Sequence, residues 1–124
     1  MKILLQCDDS VKNGALVELG SDNIVKLRTT SSPLGVASNC RSVNVQDSPN
    51  SDSVTYLVCD VTINGGCLAL LSGSAPAMGG KLYATNDGHL SATISGDYVA
   101  ILAPRSFPRV HDYVDGELVS VVIQ

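Results

Sequence analysis

The sequence is poor in the residues that carry catalysis and metal binding. Its 124 residues contain two histidines, His89 and His111, one phenylalanine and no tryptophan. It has no His-x-x-x-His or His-Glu-x-x-His spacing for zinc, and no Gly-x-Ser-x-Gly element that would expose a nucleophilic serine. We therefore predict that the chain is not an enzyme and that it carries neither a metal ion nor a cofactor.

Charged residues are scarce as well, at 16% against about 25% in a typical soluble domain. The formal net charge is −4, which provides no electrostatic attraction for a phosphate backbone. No apolar run approaches the roughly 20 residues that are needed to cross a bilayer. The sequence therefore predicts neither nucleic acid nor a membrane as a partner.

The cysteines lack the spacing of a zinc or redox motif. They are Cys7, Cys40, Cys59 and Cys67, and no two of them form a Cys-x-x-Cys pair. Residues 1–5 resemble the start of a signal peptide, but the polar residues 6–9 end the apolar stretch. We expect a cytoplasmic product, in which disulfides are not expected. We interpret the four cysteines as small buried or half-buried apolar residues.

What the sequence does contain is typical of β-strands. Hydrophobic residues make up 44% of the chain, and short alternating or continuous apolar runs recur between turn signals without helical spacing. The predicted strands are Ile3 to Cys7, Ala15 to Leu19, Ile24 to Leu27, Leu34 to Asn39, Val54 to Thr62, Cys67 to Leu71, Lys81 to Thr85, His89 to Thr93, Tyr98 to Leu102 and Glu117 to Ile123. We predict a single all-β domain over residues 1–124, built as a compact small β-barrel or sandwich of short antiparallel strands.

Two connections carry distinct turn chemistry. Asn86-Asp87-Gly88 supplies residues that tolerate positive φ between two short strands, which predicts a tight hairpin. In contrast, residues 48–53 are polar and include Pro49, so we predict an exposed and mobile loop there.

A faint internal repeat organises these elements. The first copy covers about residues 13–62 and the second about residues 79–124, with an offset of 66 residues early in the repeat and 65 later. Each copy runs through a glycine, a short strand, a polar turn and a return strand, and then through a polar excursion into a Val-rich strand. We predict an internal duplication in which two sheets close on each other without free edges.

One loop differs from the others in composition. Segment 104–114 holds two of the four arginines, the only phenylalanine, a tyrosine and a histidine, which is the composition enriched at protein interfaces. The predicted interface residues are Arg105, Phe107, Arg109, His111 and Tyr113. Alternatively, Phe107, Val110 and Tyr113 cap one end of the barrel while the arginines extend into solvent.

The order of these motifs resembles a known family. A glycine and short strand after a turn, then Gly35-Val36-Ala37, a loop and a Val-rich strand are followed by a second copy that ends in Asp115-Gly116-Glu117-Leu118-Val119. This pattern is similar to that of the small phage head decoration proteins, also called cement proteins. The motifs are turn glycines and strand hydrophobes, and they extend from about Asn13 to the end of the chain.

The resemblance implies a structural virion protein that binds the outer surface of a phage capsid and stabilises it. The implied partner is the major capsid protein, and the implied assembly is a homo-oligomer, with a trimer favoured over a dimer. The implied location is the exterior of the virion's capsid, after synthesis in the cytoplasm of the host bacterium. Two other functions stay open: a binding or adaptor module of a phage tail or baseplate, and a small enzyme.

Overall fold

Ten strands make up most of the regular structure of the chain. A computed structural model describes residues 1–46, 48–104 and 112–124. Its strands are Lys2–Gln6 (β1), Leu16–Leu19 (β2), Val25–Leu27 (β3), Gly35–Val45 (β4), Val54–Thr62 (β5), Gly65–Ser72 (β6), Lys81–Ala84 (β7), Leu90–Ser91 (β8), Ala100–Leu102 (β9) and Leu118–Ile123 (β10). The helical structure in these ranges is one 3₁₀ turn, Ser21–Asn23, and no helix there has the length and hydropathy of a membrane span. The predicted all-β class is confirmed, and every predicted strand overlaps an observed one.

The strands form two five-stranded sheets, one from each half of the chain. The first has the order β1-β5-β4-β2-β3, and an isolated parallel bridge between Cys7 and Val25 links its two outer strands. The second closes into a barrel with the order β10-β6-β8-β7-β9. The prediction of antiparallel pairing is wrong at β6 and β8, which pair in parallel. A ring of five strands requires this, because an odd number of neighbours cannot all alternate in direction.

The second half repeats the pairing of the first. In the first half Glu18 pairs with Lys26, and in the second Tyr83 pairs with Ser91, each 65 positions later. The amide of Gly14 donates to Ala37 O over 2.7 Å, and 65 positions later Gly79 donates to Leu102 O over 2.7 Å. The offset of 66 predicted for the early part of the repeat is therefore wrong at these pairs, because hydrogen-bond register, and not the best match of leucines, decides the correspondence. Each half also begins one strand earlier than the predicted repeat, at β1 or β6.

The hairpin predicted at residues 86–88 is present between β7 and β8. Gly88 has φ +79°, and Thr85 N donates to His89 O over 2.9 Å to close the turn. A Cβ on Gly88 would lie 2.5 Å from Leu27 Cδ1 in the first half. This glycine therefore serves both the turn and the contact between the halves.

Two apolar clusters form the interior. One cluster fills the barrel of the second half and also includes Leu16 and Val36 from the first half. Val17, Ala37 and Val61 lie in the other cluster, which belongs to the first half. Successive residues of β2 and β4 thus point to different clusters, as the alternation of side chains along a strand requires. Backbone hydrogen bonds from Leu16 N to Gly88 O and from Leu70 N to Gly14 O, 2.7 and 2.8 Å long, also join the halves.

Thr62 at the end of β5 leads to a prediction about stability. Its side chain is 2% exposed, and its hydroxyl has no hydrogen-bond partner within the described ranges. A buried hydroxyl without a partner keeps its desolvation cost, so Thr62→Val is expected to raise the free energy of unfolding by about 1 kcal/mol. Calorimetry should then show a melting temperature higher by about 4 °C.

The matched control is Thr29→Val, which makes the same chemical change where the hydroxyl is used. Thr29 Oγ1 donates to Glu18 Oε1 over 2.9 Å, and Thr29 N donates to the same oxygen over 2.8 Å. A hydrogen bond from Ser31, together with those from Thr29, lowers the pKa of Glu18 to about 2. Thr29→Val should lower the melting temperature, and a decrease of similar size for Thr62→Val would show that the Thr62 hydroxyl is satisfied.

Candidate interaction surface

The structure places one of the five predicted interface residues. Tyr113 is half-buried and packs against the apolar cluster of the barrel in the second half. This position agrees with the alternative interpretation, in which Tyr113 caps one end of the barrel. Arg105, Phe107, Arg109 and His111 lie outside the described residues. The interface predicted for them stays a prediction.

The other histidine belongs to a turn. His89 Nδ1 lies 4.0 Å from Asp87 Oδ2, and the hydroxyl of Thr85 donates to Asp87 and lowers the pKa of that carboxyl. These contacts close the hairpin between β7 and β8. In the described part of the chain, no three His, Cys, Asp or Glu side chains are placed to hold a metal ion.

The four cysteines are free thiols. Cys7 and Cys59 are buried in the cluster of the first half, and Cys40 and Cys67 are half-buried. Desolvation raises the pKa of Cys59 to about 12, so this thiol stays protonated at neutral pH. Their positions match the interpretation of small packing residues.

A two-stranded arm extends from the first sheet. It consists of Arg41–Val45 of β4 and Val54–Val58 of β5, which pair from Arg41↔Val58 to Val45↔Val54. β1 pairs with β5 only as far as Val58, and β2 pairs with β4 only at Gly35 and Val36. Leu57 O still accepts a backbone hydrogen bond from Cys7 N over 2.9 Å. Beyond these contacts, residues 41–45 and 54–56 have no third strand beside them in the described structure, so the arm has open edges there.

A β-bulge marks the base of the arm. The register of β4 against β5 shifts between Ser38 and Arg41, and Asn39 in the bulge has φ +51°. Asn39 Nδ2 donates to Asp60 over 3.3 Å, and Arg41 lies 3.7 Å from the same carboxylate. Such a bulge bends and twists the strand, so it redirects β4 from the sheet into the arm.

The arm has one apolar face. Residues directly opposite in an antiparallel pair share a face, as do every second residue along a strand. Val43 pairs with Tyr56 and Val45 pairs with Val54, which places these four side chains together. The opposite face carries Ser42, Asn44, Thr55 and Leu57, and Thr55 Oγ1 donates to Asn44 Oδ1 over 2.6 Å.

A groove between the two halves opens on the same side of β5 as this apolar face. Thr62 lies an even number of positions from Val54 on β5, so the two side chains point to the same side of the strand. Thr62 also lines the groove. Its volume is about 520 Å³, and both halves contribute to its walls. The second half supplies Leu68 and Leu118, and the first supplies Lys2 and Val36. Leu4 on β1 lies between the groove and the arm, because it pairs with Asp60.

Six large apolar side chains are exposed along this side of the molecule. We call them the groove face: Leu4, Val45, Val54, Tyr56, Leu68 and Leu118. They are between 36% and 57% exposed, which amounts to on the order of 500 Å² of apolar surface in total. The Arg41–Asp60 ion pair lies on the same face, between the side chains of the arm and those of the groove.

The arm and the predicted aromatic loop, segment 104–114, follow equivalent residues in the sequences of the two halves. The arm follows Ala37 of β4, and segment 104–114 follows Leu102 of β9, which lies 65 positions later. Sequence reasoning placed a polar excursion in both halves and selected the second as an interface by its aromatic and arginine residues. It ended β4 at Asn39 and so did not predict that the first excursion begins as a strand paired with β5. The signal that could have revealed it is the polar–apolar alternation of Ser42, Val43, Asn44 and Val45 opposite the predicted strand at Val54.

Comparisons with known proteins bear on the fold. No family model matches the chain, and no curated protein matches it. Among solved structures, the chain is similar to the head fiber gp8.5 N base of bacteriophage phi29, with a TM-score of 0.60 and 15% sequence identity. The alignment covers 100% of this chain and 93% of that one. The two share a fold. Because the match spans the full chain, it includes the sheet of the first half as well as the barrel of the second.

Proposed function

We propose that this chain is a structural protein of a phage virion that binds the outer surface of the capsid and stabilises it. The observation that carries the proposal is the full-length fold similarity to the base of a phage head fiber. The resemblance of the sequence to head decoration proteins supports the same class of protein independently. The proposed partner is the major capsid protein, the proposed assembly is a homotrimer, and the chain is given no catalytic role.

Stabilisation would follow from mass action. A protein that binds the assembled shell, and not its free subunits, stabilises the shell by an amount that grows with its concentration and affinity. Many symmetric copies add small contributions over the whole capsid. The experiment is to add purified protein to expanded capsids of the phage that encodes it and to measure occupancy and heat resistance.

The expected result is saturable binding that appears in a cryo-electron reconstruction as discrete symmetric density above the capsid floor. If the aromatic loop contacts the shell, the double variant Phe107→Ala/Arg109→Ala should lose roughly 1–4 kcal/mol of binding free energy and so occupy fewer sites. Capsids that stay bare at saturating protein would refute the proposal. Normal binding by the double variant would refute only the role of the loop.

A second candidate is the base of a projecting fiber, and the structural neighbour favours it because that domain is itself the base of a head fiber. The reconstruction separates the two candidates. If the chain is a decoration protein, the density should end with the two halves described above. If it is a fiber base, the density should continue outward from them. Density on the tail or baseplate in place of the head would instead support the adaptor function.

A further inference from the structure

We infer that the groove face is a contact between copies of this chain, in which the arm of one copy enters the groove of the next. The inference goes beyond capsid binding and does not depend on it. It rests on the shape, charge and apolar area of one side of the molecule.

The first observation is complementary shape on one side of a single chain. The arm protrudes and exposes Val45, Val54 and Tyr56, whereas the groove is concave and has Leu68 and Leu118 in its walls. The paired arm is five residues long on each strand, which corresponds to about 17 Å at the rise of a β-strand. A groove of about 520 Å³ has room for a few side chains of this size.

The second observation is the balance of charge. Arg41 and Asp60 at the base of the arm form an ion pair with each other, and Lys2 is the charged side chain in the lining of the groove. Burial of the arm in the groove would therefore desolvate few charges. A strongly acidic or basic partner would find little to pair with on this side.

The third observation is the area. A stable interface buries roughly 800 Å² on each partner, of which about 60% is apolar. The groove face exposes on the order of 500 Å² of apolar surface in total. In a twofold pair the arm and the groove of one copy face the same partner, so this surface equals the apolar share of one side of such an interface. The outer part of the arm, residues 43–45 and 54–56, is two-stranded and exposes its apolar face, and a neighbouring copy would cover that face.

Each copy offers one arm and one groove, so the contact can close as a twofold pair or a threefold ring. The test uses two charged variants of the full chain, Tyr56→Glu on the arm and Leu68→Lys in the groove. Both positions are solvent-exposed, so the fold should tolerate the changes, and circular dichroism and melting temperature check this. The matched controls are Leu19→Lys and Ile94→Glu, which are 57% and 78% exposed and lie outside the groove face.

Sedimentation velocity at tens of micromolar should show wild type and both controls as the same oligomer. Each groove-face variant should weaken self-association by about thirtyfold or more, as expected for an interface anchor. An equimolar mixture of Tyr56→Glu and Leu68→Lys should associate again, because the altered arm then meets the altered groove. Recovery as a closed pair indicates that the wild-type contact has twofold symmetry. Recovery as an open chain indicates a threefold ring, because a ring of three must place two copies of the same variant side by side, and that contact stays weakened.

A monomeric wild type would overturn the inference. So would an oligomer that both variants leave intact, or a mixture that fails to associate. Binding to capsids is measured separately: a wild type that decorates shells but does not self-associate refutes the arm-in-groove contact alone. A self-associating protein that leaves shells bare refutes the proposed function alone.

Discussion

Leu71→Ala is expected to lower the free energy of unfolding by about 2–5 kcal/mol. Leu71 is fully buried in the barrel of the second half, where it pairs in parallel with Leu90. Truncation removes apolar contacts and leaves a cavity that a closed ring of strands cannot collapse to fill. Because a domain of this size is stable by only about 5–15 kcal/mol, the loss is a large part of the total, and urea denaturation would show it as a lower midpoint with an unchanged slope.

The control for this prediction lies three positions earlier on the same strand. Leu68 is 56% exposed, so Leu68→Ala should change stability by no more than about 0.5 kcal/mol. The same substitution should weaken self-association, whereas Leu71→Ala should act on stability. Equal destabilisation by both would mean that the burial of β6 differs from that described.

Gly35→Ala is expected to cost about 3 kcal/mol, at the upper end of the usual range for overpacking. A Cβ at Gly35 would lie 2.2 Å from the carbonyl oxygen of Thr62 and 2.8 Å from Val61 Cγ1. The obstacle is largely backbone, which cannot move aside without breaking the pairing of β4 with β5. The equivalent residue in the second half, 65 positions later, is Ala100, so the requirement for glycine is specific to the first half.

Gly66→Ala is the matched control. Gly66 lies in β6, and the nearest atom to an added Cβ is Val121 O at 3.9 Å. Its backbone is also outside the positive-φ region. This variant should be as stable as wild type or slightly more stable, because alanine restricts the unfolded chain. Chemical denaturation of the two variants in parallel gives the comparison, and equal stability for Gly35→Ala would show that β4 and β5 can separate at this point.

Strand positions could be predicted because their signals are local. The bounds Val54–Thr62 of β5 agree with the prediction at both ends, since a run that is apolar or β-branched except at Asp60 lies between polar turns. The hairpin at Asn86-Asp87-Gly88 follows from residues that tolerate positive φ. In both cases, neighbours within a few positions decide the conformation.

β4 shows where local signals end. Its predicted end at Asn39 falls on the bulge, where positive φ and the polar residues that follow interrupt the alternation. The strand resumes and runs to Val45, because the partner strand β5 supplies hydrogen bonds across the bulge. Pairing with a segment that lies nine or more residues away is not visible in the sequence of β4 itself.

The sequence by itself determined the all-β class, the approximate positions of the ten strands and the repeated pattern, because side-chain alternation and turn residues act over short distances. Only the tertiary structure decided the parallel pairing of β6 with β8, the offset of 65 at the paired residues and the groove face. Leu4, Val54, Leu68 and Leu118 are far apart in the sequence and carry no common motif. They lie on one side of the molecule because strand pairing, and not proximity in the sequence, sets their positions.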